Sequence, residues 1–166
     1  GLQVLLKFPG PDPRRWPQVP LEGFVISFIH EFNHIQQGPV NAGFHMLAAG
    51  MGQWGLAMQD DLTDAVQWAV AEGIADPDRI CIAGGSYGGY ATLQGVVREP
   101  ELYQCAIPIA GVYSLPMMRK RGDYRMNPAS ANTYFDMVHG ENEEELIARS
   151  PAYNVDRIQA DLLIIH

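Results

Sequence analysis

The chain has 166 residues, which is the length of a single domain. Hydrophobic residues make up 47% and charged residues 18% of it, a balance that favours a globular core over a disordered chain. Eleven Lys and Arg against 19 Asp and Glu give a formal net charge of −8, which argues against a nucleic acid or an anionic membrane as partner.

Two targeting signals are missing from the sequence. Its longest apolar runs fall short of the roughly 18–20 residues that cross a bilayer. Residues 1–10 lack the basic start and long apolar stretch of a signal peptide. These features favour a cytoplasmic over a secreted protein, although the compartment stays open.

The first half of the chain contains one clear amphipathic helix. Residues 9–20 hold five prolines and predict a loop, and the apolar run Gly23 to Ile29 fits a buried strand or part of a helix. Residues 36–55 are Gly-rich and predict mainly loop. Between Asp60 and Glu72 the apolar residues recur at helical spacing, and Gly73 is a plausible end for that helix. The predicted apolar face consists of Leu62, Ala65, Val66, Ala69 and Val70.

The second half alternates strand-like and helical segments. We predict strands over residues 79–83 and 105–110, a helix over Tyr90 to Arg98, and a helical region within 129–149. The last segment, Asp161 to His166, predicts a buried strand. This alternation predicts an α/β fold with a mostly parallel sheet flanked by helices. Because a parallel strand normally leads into a loop, we expect the fold to be cut short at its C-terminus.

Two cysteines, Cys81 and Cys105, fall on predicted strands. Two residues do not form a disulfide scaffold of the kind found in small secreted domains. We therefore expect both to be buried core thiols.

A Gly-rich segment links a predicted strand to a predicted helix. Gly84-Gly85-Ser86-Tyr87-Gly88 has the form G-x-S-x-G, and its context is that of a nucleophile elbow. Small residues two positions away let the chain turn sharply and expose the serine hydroxyl. The backbone N–H of the following residue, Tyr87, then lies at a helix N-terminus, where it can donate to a developing oxyanion. The sequence therefore predicts Ser86 as a nucleophile.

The sequence around this motif resembles a known peptidase family. Asp76-Pro77-Asp78-Arg79 followed by Gly85-Ser86-Tyr87-Gly88-Gly89-Tyr90 is similar to the catalytic domain of prolyl-oligopeptidase-type serine peptidases, closest to the acylaminoacyl-peptidase and dipeptidyl-peptidase branches. The segment Ser150 to His166 resembles the stretch that leads to the catalytic aspartate of that family. The resemblance covers roughly residues 50–166 and implies an α/β-hydrolase fold, with residues 1–166 as a partial catalytic domain of which 1–50 diverge.

The resemblance also implies an activity and a set of site residues. Ser86 matches the nucleophile, which cleaves oligopeptides through an acyl-enzyme, and Tyr87 matches an oxyanion donor. Val112, Leu115 and Met118 match positions that line the pocket for the residue before the scissile bond. No cofactor is implied. The aspartate and histidine of the family lie beyond the position of His166, so we expect them to come from outside residues 1–166, from a homo-oligomer or from a missing remainder of the chain.

One motif points to a different chemistry. His30-Glu31-Phe32-Asn33-His34 has the form H-E-x-x-H, in which two histidines on one helix face bind zinc and the glutamate acts as general base. This alternative requires a long helix over residues 23–38, where the hydrolase fold requires a strand. It also requires a third ligand, for which His45, Glu72 and His139 are candidates by residue type only.

Three hypotheses therefore remain open. The preferred one is a serine peptidase that acts on peptide substrates through Ser86. The second is a zinc metallopeptidase that uses His30 and His34, with Glu31 as base. The third is a hydrolase fragment that is catalytically incomplete on its own.

Overall fold

Within the residues that the structure describes, the fold is a parallel sheet of four strands that lie side by side in chain order. The computed structural model describes residues 24–29, 48–121 and 128–166. The strands are β1 (Phe24–Ile29), β2 (Ile80–Gly85), β3 (Cys105–Ile109) and β4 (Asp161–Leu162). Every paired neighbour is parallel, from Phe24↔Ile80 to Ala106↔Leu162. The predicted class, a mostly parallel sheet flanked by helices, is confirmed.

Helices connect the strands, as parallel pairing requires. The helices are α1 (Ala57–Ala71), α2 (Tyr87–Arg98), α3 (Leu115–Arg121), α4 (Pro128–His139) and α5 (Glu143–Ala148). Short 3₁₀ turns occupy Pro77–Arg79, Pro151–Tyr153 and Val155–Arg157. None of the helices in the described ranges is both long enough and apolar enough to span a membrane.

Helix α1 confirms the predicted amphipathic segment with one change in its buried face. Leu62, Val66 and Ala69 are buried as expected, but Ala65 is exposed. Gln59 is buried instead, because its side-chain N–H donates to the carbonyl of Ala91 on α2 at 3.1 Å. The helix ends as predicted at Gly73, which takes a positive φ of 68° that favours glycine.

The hydrophobic core lies between α1, α2 and one face of the sheet. Ile80 and Ile82 of β2 and Ala106 of β3 point into it and are completely buried. Val66 of α1 and Val96 of α2 meet them from the helical side. Helix α2 begins at Tyr87, three residues earlier than predicted, because the elbow turns directly into its first turn.

The last strand departs from the prediction in its burial. Pairing with β3 continues past β4, since Ile165 donates its N–H to Pro108 and bridges Ile109. The four apolar residues Leu162 to Ile165 are nevertheless 40–59% exposed. The expected burial is wrong for the described part of the chain, because β3 contacts this strand on one side only.

The cysteines are also not free thiols. Cys81 of β2 and Cys105 of β3 are direct register partners, with their Cα atoms 4.6 Å apart, and they form a disulfide. Both are half-buried, on the sheet face opposite the core residues Ile80 and Ile82. The expectation of buried core thiols is therefore wrong, because lateral neighbours on one sheet face bring the two sulfur atoms together.

Candidate active site

The candidate site is centred on Ser86, in a sharp turn between β2 and α2. Ser86 is exposed and has φ 56° and ψ −118°, a conformation that is strained for a residue with a Cβ. Its N–H donates to the carbonyl of Ile109 at 2.9 Å, and its own carbonyl accepts from Gly89 and Tyr90 at 3.0 and 3.2 Å. The predicted context of strand, elbow and helix is confirmed.

Two glycines allow the backbone to pack closely behind the elbow. A Cβ on Gly89 would lie 2.7 Å from the carbonyl oxygen of Ile109 and 2.8 Å from the Cα of Gly111. A Cβ on Gly111 would lie 2.6 Å from the carbonyl carbon of Gly89. The first turn of α2 therefore rests directly on the loop after β3, where Ala110 also has a positive φ of 45°.

Tyr87 follows Ser86 and begins α2. Its backbone N–H belongs to the first turn, where N–H groups point out of a helix and its dipole favours negative charge. Its side chain is buried against the ring of Trp54, with centroids 4.5 Å apart, and its hydroxyl meets the sulfur of Met58 at 3.8 Å. Burial, and secondarily the negative charge of Asp61, raises the pKa of Tyr87, so its phenol stays neutral.

Behind Tyr87 lies a group of buried side chains that the sequence did not identify as a unit. The ring of Trp54 also contacts those of Tyr90 and His139, at 5.3 and 4.4 Å. Burial, and then the positive charges of Arg149 and Arg119, lowers the pKa of His139 from 6.5 to about 4. The sequence marks His139 only as a candidate zinc ligand by residue type. No local pattern marks Arg149, because it contacts Gly52 and Trp54, which lie far away in the sequence.

The three predicted pocket residues lie just after β3, but in different environments. Val112 is half-buried against the core, and Met118 is half-buried on α3. Leu115 is completely buried and donates its backbone N–H to the hydroxyl of Ser150 at 2.9 Å. The region after β3 is fixed further by Tyr113, whose hydroxyl accepts from the N–H of Gly111 at 3.1 Å.

The side chain of Ser86 makes no capping hydrogen bond at the start of α2. Within the described ranges, no histidine or carboxylate forms a hydrogen bond with the Ser86 hydroxyl. The described residues thus present an exposed serine at a strained elbow and, next to it, the N-terminus of a helix. A general base is required in addition, because a neutral serine hydroxyl is a weak nucleophile.

The H-E-x-x-H alternative requires a helix over residues 23–38, and the structure contradicts the first part of that helix. Residues Phe24–Ile29, which precede the motif, form a strand paired with β2. His30, Glu31 and His34 themselves lie outside the described residues, as does His45. Among the residues that the structure does describe, no three His, Cys, Asp or Glu side chains gather in a way that could hold a metal ion.

Comparisons with known proteins agree with this geometry. Residues 28–166 match the model of the prolyl oligopeptidase family. The chain is 35% identical over 135 residues to dipeptidyl aminopeptidase BIII of Pseudoxanthomonas mexicana. The matched region covers 77% of this chain but 19% of that relative. The chain thus spans about a fifth of the length of this relative.

Solved structures show the same fold. A puromycin-hydrolyzing peptidase of Mycobacterium tuberculosis superposes with a TM-score of 0.63 at 28% identity, covering 72% of this chain and 18% of that one. An acylaminoacyl peptidase of Pyrococcus horikoshii superposes with a TM-score of 0.62 at 26% identity, covering 72% and 19%. The fold is that of an α/β-hydrolase, and the chain belongs to the prolyl oligopeptidase family.

Proposed function

We propose that this chain carries the nucleophile and one oxyanion donor of a serine peptidase that cleaves peptides through an acyl-enzyme on Ser86. The observation that supports this most directly is the elbow itself. Ser86 is exposed, holds a positive φ, and stands between the end of β2 and the start of α2. Such strain persists only where the surrounding structure enforces it, and it is concentrated at functional sites.

The chemistry follows from the geometry of the elbow. A base removes the proton of the Ser86 hydroxyl as its oxygen attacks the substrate carbonyl, and the carbonyl oxygen becomes an oxyanion. The N–H of Tyr87 donates to that oxyanion from the N-terminus of α2. The base gives the proton from Ser86 to the leaving nitrogen as the C–N bond breaks and the amine departs. The base then takes a proton from water as the water oxygen attacks the acyl-enzyme, and it returns that proton to the Ser86 oxygen as the acid is released. The histidine that acts as base and the aspartate that orients it, which complete a catalytic triad with Ser86, are proposed to lie outside residues 1–166.

The pocket for the residue before the scissile bond is proposed to lie beside the elbow. Val112 and Met118 are half-buried on the segment that follows β3, whose first residues contact the elbow through Gly111. Leu115 would pack behind them, since it is completely buried. An apolar lining of this kind suits peptides with an apolar residue at that position. The relatives of known activity include peptidases named for dipeptides and for acylaminoacyl peptides, which supports a peptide substrate.

Labelling with a fluorophosphonate, read by intact mass, tests the proposal. Because the base is proposed to lie outside residues 1–166, we expect slow labelling that rests on the oxyanion donor alone: one adduct on the parent chain and on Ser114→Ala, a control on the neighbouring loop, and none on Ser86→Ala. An adduct that persists on Ser86→Ala would assign the reactivity to another residue and refute the proposal. If the parent chain shows no adduct, the described unit is catalytically incomplete, as the third hypothesis holds.

A further inference from the structure

Arg149 is a buried cation that binds main-chain oxygens. It is 7% exposed and stands just after α5. Its guanidinium donates to the carbonyls of Gly52 and Trp54 at 3.2 and 3.3 Å, of His139 at 2.6 Å and of Glu145 at 3.3 Å. Hydrogen bonds from a charged donor are stronger than neutral ones, and burying a charge is unfavourable unless such bonds compensate for it. Arg149 therefore fixes the turn around Trp54.

Trp54 transmits this constraint to the elbow. Its ring lies edge-on to Tyr87 at 4.5 Å and tilted against Tyr90 at 5.3 Å. Tyr90 in turn donates its hydroxyl to the carbonyl of Arg149 at 2.9 Å. The side chain and the main chain of Arg149 thus support the first turn of α2 from two directions. That turn carries the N–H of Tyr87.

We propose that Arg149 is a positioning residue for the oxyanion donor at Tyr87 and that it acts through Trp54. The inference rests on the proposed function and extends it. An oxyanion donor contributes fully only when its N–H points at the place where charge develops, and misplacement by a fraction of an ångström weakens it. The side-chain hydrogen bonds of Arg149 go to main-chain oxygens and none of them to Ser86, so we expect its effect in the rate of the chemical step and not in reagent binding.

The chain offers a closely matched control. Arg98 donates to the carbonyls of Gly55 and Leu56, at 3.0 and 3.1 Å, and pairs with Asp60. It thus holds the next two residues of the same loop without bonding to Trp54. If Arg149 only stabilised the loop, loss of either arginine would have the same consequence for the elbow.

The experiment measures phosphonylation of Ser86 at several reagent concentrations. We expect Arg149→Met to lower the maximal labelling rate about tenfold with little change in the half-saturating concentration, and Arg98→Met to leave the rate within about twofold of the parent. Trp54→Ala should lower the rate to a similar extent, and adding it to Arg149→Met should have little further effect, because coupled residues are not additive. Should Arg149→Met fail to fold, Arg149→Lys, which keeps the charge, replaces it.

A second readout separates this inference from the proposed function. Amide hydrogen exchange of the elbow peptide, residues 84–90, does not require any catalysis. If the parent chain is not labelled at all, the proposed function fails for this chain, while faster exchange in Arg149→Met than in Arg98→Met would still support the positioning role. A folded Arg149→Met variant with the parent's exchange and the parent's labelling rate, or an equal loss in Arg98→Met, would overturn it.

Discussion

His139 should make the fold sensitive to mild acid. Its side chain is 1% exposed, lies edge-on to Trp54 and stacks on Phe135. Neither ring nitrogen has a hydrogen-bond partner among the described residues. The charged groups that lower its pKa are Arg149 and Arg119, both positive. Protonation would therefore place an unpaired cation in an apolar setting beside two others.

The size and sign of the effect follow from the pKa, which is lowered from 6.5 to about 4 in the folded state. Between these values the unfolded chain binds a proton that the folded chain does not. As far as His139 is concerned, the free energy of unfolding is therefore highest above pH 6.5 and decreases as the pH falls towards 4. At 1.36 kcal/mol per pKa unit, the loss amounts to about 3 kcal/mol.

Urea unfolding followed by circular dichroism, near neutral pH and near pH 4, tests this reasoning. His139→Phe keeps a ring against Trp54 and removes the group that titrates. When the pH is lowered from near neutral to near 4, the free energy of unfolding of the parent should therefore fall by about 3 kcal/mol more than that of His139→Phe. His166→Phe, at the exposed end of the last strand, should behave as the parent does. Identical losses in the parent and in His139→Phe would refute the assignment of acid sensitivity to His139.

Two further predictions concern the strands and the loop that support the elbow. Reduction of the Cys81–Cys105 disulfide, which links residues 24 apart, should lower the free energy of unfolding by about 3 kcal/mol, and a variant with serine at both positions should not respond to reductant. An equal response in parent and variant would contradict this. Gly111→Ala should destabilise by about 2–3 kcal/mol in urea unfolding, because the new Cβ would overlap Gly89. Gly73→Ala, which meets open space at a positive φ, should lose only about 1 kcal/mol, and equal losses would count against the close-contact argument.

The parts of the fold that the sequence predicted well depend on local features. The elbow was found because the residues that form it are consecutive: a β-rich run, small residues around Ser86, and a helix directly after. Helix α1 was found because apolar residues recur along one face between Leu62 and Ala69. In both cases the signal lies within about 15 residues, and the structure confirms the predicted elements.

The parts that were missed depend on distant neighbours. The Cys81–Cys105 disulfide requires that the two strands pair in one particular register, which neither strand encodes alone. The role of Arg149 depends on carbonyls at Gly52 and Trp54, nearly a hundred residues earlier. The burial of the last strand depends on which segments lie beside it, and its own apolar run does not specify them. Such features follow from which segments meet, and a pattern within one segment does not specify this.

These distant contacts also explain how Ser86 keeps its strained backbone. The bond from its N–H to Ile109 and the close contact of Gly89 with Gly111 come from β3 and the loop after it. Tyr87 packs against the ring of Trp54, and the carbonyl of Trp54 accepts a hydrogen bond from Arg149, which lies 95 residues later in the sequence. A strained backbone conformation typically costs about 1–3 kcal/mol, and these separate contacts together offset that cost. An isolated β2–α2 segment lacks all of them and would relax, so the strained geometry of Ser86 is a property of the folded unit and not of the G-x-S-x-G motif alone.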